Sequence, residues 1–315
     1  MPKSRVKSRR AFSRNESIEY LLEQGNLEGL KAAKQRAGKL SKYYWNEYSE
    51  LARQRNAVKE ELEQALIQSC ISDYEFKHWQ RAVKYKYGLH PLSTLGSLSW
   101  VGGRFNIGEE INSEVTSFPA LYLASDKDTA LQEHLGQQET SKKSKLTPRE
   151  LALTNPSSET IVSVSGCLDK VFDLTEVKNL TLFVNLIKNF VLSGGLKAQA
   201  KQLNLPVSIM KTTSQLLSNL LIPEWRLLPV NMDIPSNSQI FGHLIYSAGI
   251  EGILYPSKLT KKPCLAIFPR NFSNTDSTIY LDDEVPHKAV PKKVDSKNWR
   301  VCELSFEDIL SLKKV

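Results

Sequence analysis

Three glycines and an arginine lie within the seven residues 102–108, whose sequence is Gly-Gly-Arg-Phe-Asn-Ile-Gly. Glycine lets the backbone approach another group closely. The planar guanidinium of Arg104 offers a fork of donors that suits phosphate oxygens. The glycine spacing matches neither the P-loop nor the dinucleotide-binding fingerprint. Taken alone, such a segment is more often a structural hairpin, so its chemistry depends on what lies beside it.

A short apolar segment further along, residues 120–124, predicts a strand with a tyrosine on one face. Leu121 and Leu123 point one way, and Tyr122 points the other way. The alanines on either side of the tyrosine leave room beside its phenol ring, as a stacking platform for a planar ligand requires. A strand tyrosine is more commonly a half-buried packing residue, so this feature also needs support from its surroundings.

A carboxylate and a serine complete the set of residue types that can do chemistry. Ser125 and Asp128 predict a helix start of the capping-box type, which places Glu133 about two turns into the helix. Ser257 follows a strand-like segment, residues 252–255, and a proline. A carboxylate can stabilise developing positive charge, and a serine hydroxyl can orient a ligand, although a helix glutamate is ordinarily solvated.

The elements that must position these residues are strands and helices in irregular order. Short apolar stretches bounded by Gly, Pro and Ser predict strands; they are residues 120–124, 160–164, 252–255 and 264–268. Residues from about 176 to 222 have a mostly helical pattern. This mixture favours an α+β fold over a doubly wound parallel sheet.

We predict four parts along the chain. Residues 1–15 form a disordered basic arm, 16–74 a helical N-terminal segment, 75–275 the main domain with a helical insertion at about 176–222, and 276–315 a C-terminal extension. In the helical segment, apolar residues three, four and seven positions apart indicate an amphipathic helix that packs on the main domain or on a partner. They are Tyr44, Tyr48, Leu51, Val58, Leu62 and Leu66. Residues 141–149 predict an exposed basic loop.

The basic character of the chain is concentrated at its N-terminus. The net charge is +8, and residues 1–14 contribute six basic and no acidic side chains. The rest of the chain is close to neutral, with 34 acidic residues against the remaining 36 basic ones. The main domain therefore lacks the charge signature of a nucleic-acid-binding module, and only the arm suits a phosphate backbone.

Cysteine and histidine spacing argues against a metal site or a disulfide framework. The four cysteines and five histidines are scattered, with no C-x-x-C or H-E-x-x-H pattern. No apolar run is long enough to predict a membrane span, and no secretory signal is visible. We therefore expect a reduced, cytoplasmic protein that needs no metal.

The order of five short segments resembles the RES domain family. In chain order they are residues 79–83, 91–93, 102–108, 121–133 and 252–257, with weaker landmarks at 173–175 and 238–239. The family is named for an arginine, a glutamate and a serine, which match Arg104, Glu133 and Ser257. Its tyrosine matches Tyr122, and a further arginine of its first strand matches Arg81. The resemblance covers residues 75–270, approximately.

The resemblance implies an ADP-ribosyltransferase-like fold, with a mixed, curved β-sheet around an NAD cleft, and cleavage of the nicotinamide–ribose bond. Glu133 and Arg104 are then expected to be catalytic. The residues expected to bind NAD are Arg81, Arg104, Asn106, Tyr122 and Ser257. Two departures from the family pattern bear on the lid of the pocket and its reach: an extra loop at residues 109–117, and a long stretch between Glu133 and Ser257.

The resemblance also implies a biological role. It suggests an NAD-degrading toxin or defence effector, neutralised by a partner of the Xre antitoxin type, with NAD as substrate and no metal. Three other hypotheses remain: an ADP-ribosyltransferase that modifies a protein or nucleic acid, a nucleic-acid-binding protein led by the basic arm, and an inactive RES-like scaffold. The sequence leaves the acceptor of ADP-ribose and the existence of a homodimer open.

Overall fold

The computed structural model of the chain describes residues 27–112, 114–135, 159–206 and 209–312. The helices are α1 (Leu27–Ala57), α2 (Lys59–Gln68), α3 (Lys127–Leu135), α4 (Thr181–Ile187), α5 (Gly194–Leu203), α6 (Thr213–Leu220), α7 (Leu227–Met232), α8 (Asn237–Ser247) and α9 (Phe306–Leu312). The strands are β1 (Cys70–Lys84), β2 (Leu121–Ala124), β3 (Glu159–Asp173), β4 (Gly252–Pro256), β5 (Pro263–Ile267), β6 (Thr278–Leu281) and β7 (Lys293–Val294). The basic arm and the basic loop at 141–149 lie outside the described residues.

The chain divides into two compact units, and the described part of the smaller one combines residues 27–49 with 193–206. In its part of α1, the buried Tyr43 donates a hydrogen bond to Glu47 one turn later, at 2.7 Å. Helix α5 begins after Ser193, whose hydroxyl accepts from the backbone of Leu196. It ends at Asn204, which adopts the left-handed conformation common at helix ends.

The described part of the larger unit, residues 50–112, 114–135, 159–192 and 209–312, contains a seven-stranded sheet in the order β1-β2-β5-β4-β3-β6-β7. The sheet is mixed, because β3 and β4 run parallel whereas the other pairs are antiparallel. β1 also pairs along its length with β3, so five of the strands close into a barrel. The predicted α+β class is confirmed, and the likeness to ADP-ribosyltransferases stays a prediction.

Side chains alternate between two apolar clusters on the two faces of this sheet. Leu121 and Leu123 belong to one cluster, and Tyr122 packs against the other, as the sequence predicted. Helices of the larger unit supply part of the second cluster; their contributions include Leu66, Phe183, Leu216 and Phe241. Tyr122 therefore lies on the face of the sheet that these helices cover.

The predicted strands are all present, and two elements are longer than predicted. β3 continues from the predicted segment to Asp173. β1 begins at Cys70, five residues before the predicted start of the main domain, and was not predicted at its full length. The helical region runs past residue 222 through α7 and α8, and the extension after residue 275 supplies β6 and β7.

Candidate active site

The loop that carries Arg104 is held from one side by Tyr122 and Asn106. The Tyr122 hydroxyl accepts from the backbone N–H of Phe105 and donates to Oδ1 of Asn106, both at 2.9 Å. Oδ1 of Asn106 also accepts from Gly103, and its amide nitrogen donates to the carbonyls of Ser97 and Phe118. Because Asn106 is fully buried and these bonds use its donors and acceptors, it positions the loop and does not face a ligand.

Helix α8 holds the same loop from the other side. Nε2 of the buried Gln239 lies 2.7 Å from the carbonyl oxygen of Val101 and 3.0 Å from that of Asn106. One turn later, a Cβ on Gly242 would collide with the carbonyl of Phe105, so the helix backbone itself packs on the loop. The weak sequence landmark at 238–239 therefore has a structural reason.

The Arg104 side chain extends to the end of α6. Its Nη1 donates to the carbonyl of Ile222 at 2.9 Å and lies 3.4 Å from that of Leu220. Carbonyls at a helix C-terminus have no partner within the helix and favour a cation. The region predicted as an insertion thus fixes the position of this arginine.

Glu133 and Ser257 are in direct contact. Asp126, and not the predicted Ser125, caps the start of α3, because its carboxylate accepts from the backbone and hydroxyl of Thr129. Glu133 lies two turns along this helix, as predicted. The buried Ser257 follows β4, and its hydroxyl donates to Oε1 of Glu133 at 2.5 Å.

A second tyrosine, Tyr255, lies between these two halves of the site and was missed from the sequence. It is opposite Cys264 in the β4–β5 pair, and its ring packs against that of Phe105 at 4.9 Å. Burial raises the pKa of Tyr255 well above its ordinary value, and Glu133 adds to the rise while Arg104 opposes it. Both charged residues therefore act on the same phenol. Its position two residues before Ser257 was the available signal.

A second arginine, Arg226, was also missed. Its Cζ lies 4.3 Å from the ring centre of the buried Trp225, and Cζ of Arg104 lies 5.8 Å from the centre of the same ring system. Partial burial and the charge of Arg104 lower the pKa of Arg226, whereas Tyr122 and Glu133 raise it. No local pattern in the sequence marks this residue.

Arg81 is not brought to this cluster. On β1, Gln80 pairs with Ala124 and Ala82 packs with the helix-covered face, so the alternating Arg81 side chain points to the other face. There it is buried and donates to the carbonyl of Ser93 at 2.6 Å. Burial lowers its pKa to about 10.

Arg104 and Tyr122 are thus linked through the loop, and Glu133 and Ser257 through a hydrogen bond, while the charges of Arg104 and Glu133 both act on the pKa of Tyr255. One carboxylate lies among cationic groups and phenol rings, an arrangement suited to a substrate with both anionic and cationic parts. Among the described residues, no group of three or more His, Cys, Asp or Glu side chains is placed to hold a metal ion. No helix in that part of the chain is long and apolar enough to cross a membrane.

The chain is similar to a chain in the crystal structure of the M. tuberculosis MbcT–MbcA toxin–antitoxin complex, at 14% sequence identity and a TM-score of 0.40. The alignment covers 81% of this chain and 98% of that chain. No protein-family model matches the sequence, and no curated protein matches it.

Proposed function

We propose that this protein cleaves the nicotinamide–ribose bond of NAD at the site formed by Arg104, Tyr122, Glu133 and Ser257. The observation that carries the proposal is the 2.5 Å hydrogen bond from Ser257 to Glu133. It joins two residues that the RES resemblance names together, and the arginine and tyrosine of the same resemblance lie in the same cluster. The resemblance and the side-chain geometry both support this choice of four residues.

The residue types suit this reaction. Cleavage between ribose and the cationic nicotinamide has an oxocarbenium-like transition state, as glycoside cleavage does. The leaving group already carries positive charge, so a general acid is not needed and a single carboxylate suffices. Glu133 is placed to accept from the ribose 2′-hydroxyl and to stabilise the developing positive charge, and Ser257 orients that carboxylate.

The remaining residues position the substrate. Arg104 provides planar donors for the diphosphate and keeps the ribose in place for attack at C1′ by water or phosphate as neutral nicotinamide leaves. The half-buried Tyr122 offers part of its ring to the nicotinamide, while its hydroxyl holds the Arg104 loop. Arg81 has no part in this mechanism, because it lies on the other face of the sheet.

The test is release of free nicotinamide from NAD by the purified protein, with Glu133→Gln alongside. Loss of this one electrostatic contact is worth about 2–4 kcal/mol, so we expect the rate to fall roughly 30- to 1,000-fold. Glu63→Gln is a matched control, since Glu63 is a helix glutamate in an i,i+4 pair with Lys59, outside the cluster. Wild-type rates from a folded Glu133→Gln protein would refute the assignment of Glu133.

The same proposal includes a role and a partner. By the RES resemblance, the protein is an NAD-depleting toxin or effector that an antitoxin of the Xre type neutralises. Growth arrest with a fall in cellular NAD on expression, absent for Glu133→Gln, is the expected result. If ADP-ribose is passed to a macromolecule, intact-mass analysis will detect its addition to a target. The amount of free ADP-ribose will then be smaller than the amount of nicotinamide released.

A further inference from the structure

The segment that follows α6 brings to the site a basic residue that matches none of the residues named by the RES resemblance. Trp225 and Arg226 lie between α6 and α7. Trp225 is 5% exposed, and its ring is close to the guanidinium groups of both Arg104 and Arg226. A guanidinium within about 6 Å of an indole is attracted to its face. The buried ring therefore keeps two arginines side by side.

The guanidinium groups of Arg104 and Arg226 carry like charges, and fewer carboxylates than cationic groups act on them. Arg226 is exposed, and within the described residues its guanidinium has neither an ion pair nor a hydrogen bond to an acceptor. Lys258 is a third basic residue near Arg104: burial lowers its pKa, and the charges of Lys261 and Arg104 lower it further. The carboxylate that acts on Arg226 is Glu133, which is already bound to Ser257. Neighbouring cations repel one another unless an anion binds between them.

We propose that Arg226 is a substrate-binding residue which, with Arg104, binds the diphosphate of a dinucleotide and makes the site select dinucleotides over smaller nicotinamide compounds. The inference rests on the proposed function and extends it. Cζ of each guanidinium group lies within 6 Å of the Trp225 ring centre, and arginine binds phosphate oxygens through paired donors. The same segment also fixes Arg104 through the carbonyls of Leu220 and Ile222, so it supplies one arginine and orients the other.

The experiment compares Arg226→Gln with wild type on NAD and on nicotinamide riboside, which has the scissile bond but no phosphate. A hydrogen bond to a charged group is worth about 1.5–3 kcal/mol, so we expect KM for NAD to rise roughly 10- to 100-fold with kcat little changed. For nicotinamide riboside, kcat/KM should be the same in both proteins. Arg226→Lys should recover part of the loss, because it keeps the charge without the planar fork.

The chain contains a matched control in Trp299–Arg300, a second Trp-Arg pair. Cζ of Arg300 lies 5.4 Å from the Trp299 ring centre, and Arg300 is exposed like Arg226. Arg300→Gln should leave KM for NAD unchanged. The proposal would be overturned if KM for NAD rose equally in Arg226→Gln and Arg300→Gln. It would also be overturned if the wild type cleaved NAD and KM did not rise in Arg226→Gln.

A binding measurement separates this inference from the proposed function. Titration calorimetry with inorganic pyrophosphate should give binding to wild type and Arg300→Gln and markedly weaker binding to Arg226→Gln. If the wild type releases no nicotinamide but this pattern holds, the proposed reaction fails and the diphosphate site stands. If pyrophosphate binds wild type and Arg226→Gln equally, the diphosphate site fails whether or not NAD is cleaved.

Discussion

The hydroxyl of Ser257 donates to Oε1 of Glu133 at 2.5 Å, while its oxygen accepts from the backbone N–H groups of Leu259 and Thr260, each at 3.1 Å. The two backbone donors occupy the oxygen and so direct its proton toward the carboxylate. The serine therefore fixes the glutamate by a bond that the turn after β4 itself orients. This arrangement predicts a role for Ser257 in positioning Glu133.

Replacing Ser257 with alanine should reduce both activity and stability. Glu133 loses a bond worth about 1.5–3 kcal/mol, so kcat for nicotinamide release should fall roughly 10- to 100-fold. Two N–H groups lose their acceptor, so the free energy of unfolding in urea should fall by about 1–3 kcal/mol. Ser163→Ala is the matched control, since Ser163 donates to Asp282 at 2.5 Å outside the cluster. A similar fall in kcat in both variants would contradict the positioning role.

Removing the Tyr122 hydroxyl should loosen the Arg104 loop. In Tyr122→Phe the buried N–H of Phe105 loses its acceptor, so the free energy of unfolding should fall by about 1–3 kcal/mol. Tyr74→Phe is a suitable comparison, because within the described residues the Tyr74 hydroxyl makes no hydrogen bond. Its expected effect is below about 0.5 kcal/mol. Equal stabilities for the two variants would show that the hydroxyl does not hold the loop.

A methyl group added to α8 at Gly242 should disturb the Arg104 loop, against which this helix packs. Gly242→Ala places a Cβ against the Phe105 carbonyl, and overpacking of this kind costs about 1–3 kcal/mol, more than alanine gains as a helix former. Gly38→Ala, in α1, meets nothing within 4 Å and should stabilise by up to about 1 kcal/mol. Thermal unfolding of both variants measures the difference. A stabilised Gly242→Ala protein would mean that α8 does not press on the loop.

The buried Glu251 should make stability depend on pH. Oε2 of this carboxyl accepts from the backbone of Lys170 at 2.6 Å, and burial raises its pKa to about 7. The folded protein therefore binds this proton more tightly than the unfolded chain. Protonated Glu251 therefore contributes its full stabilisation of the folded state below about pH 4. This contribution, up to roughly 3 kcal/mol, is lost as the pH rises to 7.

The measurement for Glu251 is the free energy of unfolding at pH 5 and pH 8 for wild type and Glu251→Gln. Between pH 5 and pH 8 the free energy of unfolding should fall more for the wild type than for the variant, because the variant has no proton to lose at this position. If the difference between the two proteins is the same at both pH values, Glu251 does not titrate in this range.

The sequence predicted the placement of those candidate residues whose positions are fixed by local pattern. The alternation of residues 120–124 gave the face of Tyr122, and helix periodicity gave the depth of Glu133 in α3. Arg81 shows where local pattern stops. Alternation separates Gln80 from Arg81, but which of them faces the site depends on the pairing of Gln80 with Ala124, a contact between distant parts of the chain.

Tyr255 and Arg226 could not be predicted for a related reason. Tyr255 enters the site because β5 brings Cys264 opposite it. Arg226 enters the site because its neighbour Trp225, in the segment that joins α6 to α7, is buried. Asn106 shows the opposite error, since a polar residue in a glycine-rich loop suggests a ligand contact, whereas its amide is used up inside the protein.

The closure of the barrel also sets the time at which this site can form during synthesis. Glu133 and Ser257 are separated by 124 positions, and β2 is held in the sheet by β1 and β5. A nascent chain that has not yet released β5 from the ribosome therefore has neither the serine in place nor the strand that orders the tyrosine. Contacts of such long sequence separation form slowly. The ribosome-bound chain is thus expected to lack this site until β4, Ser257 and β5 have all left the ribosome.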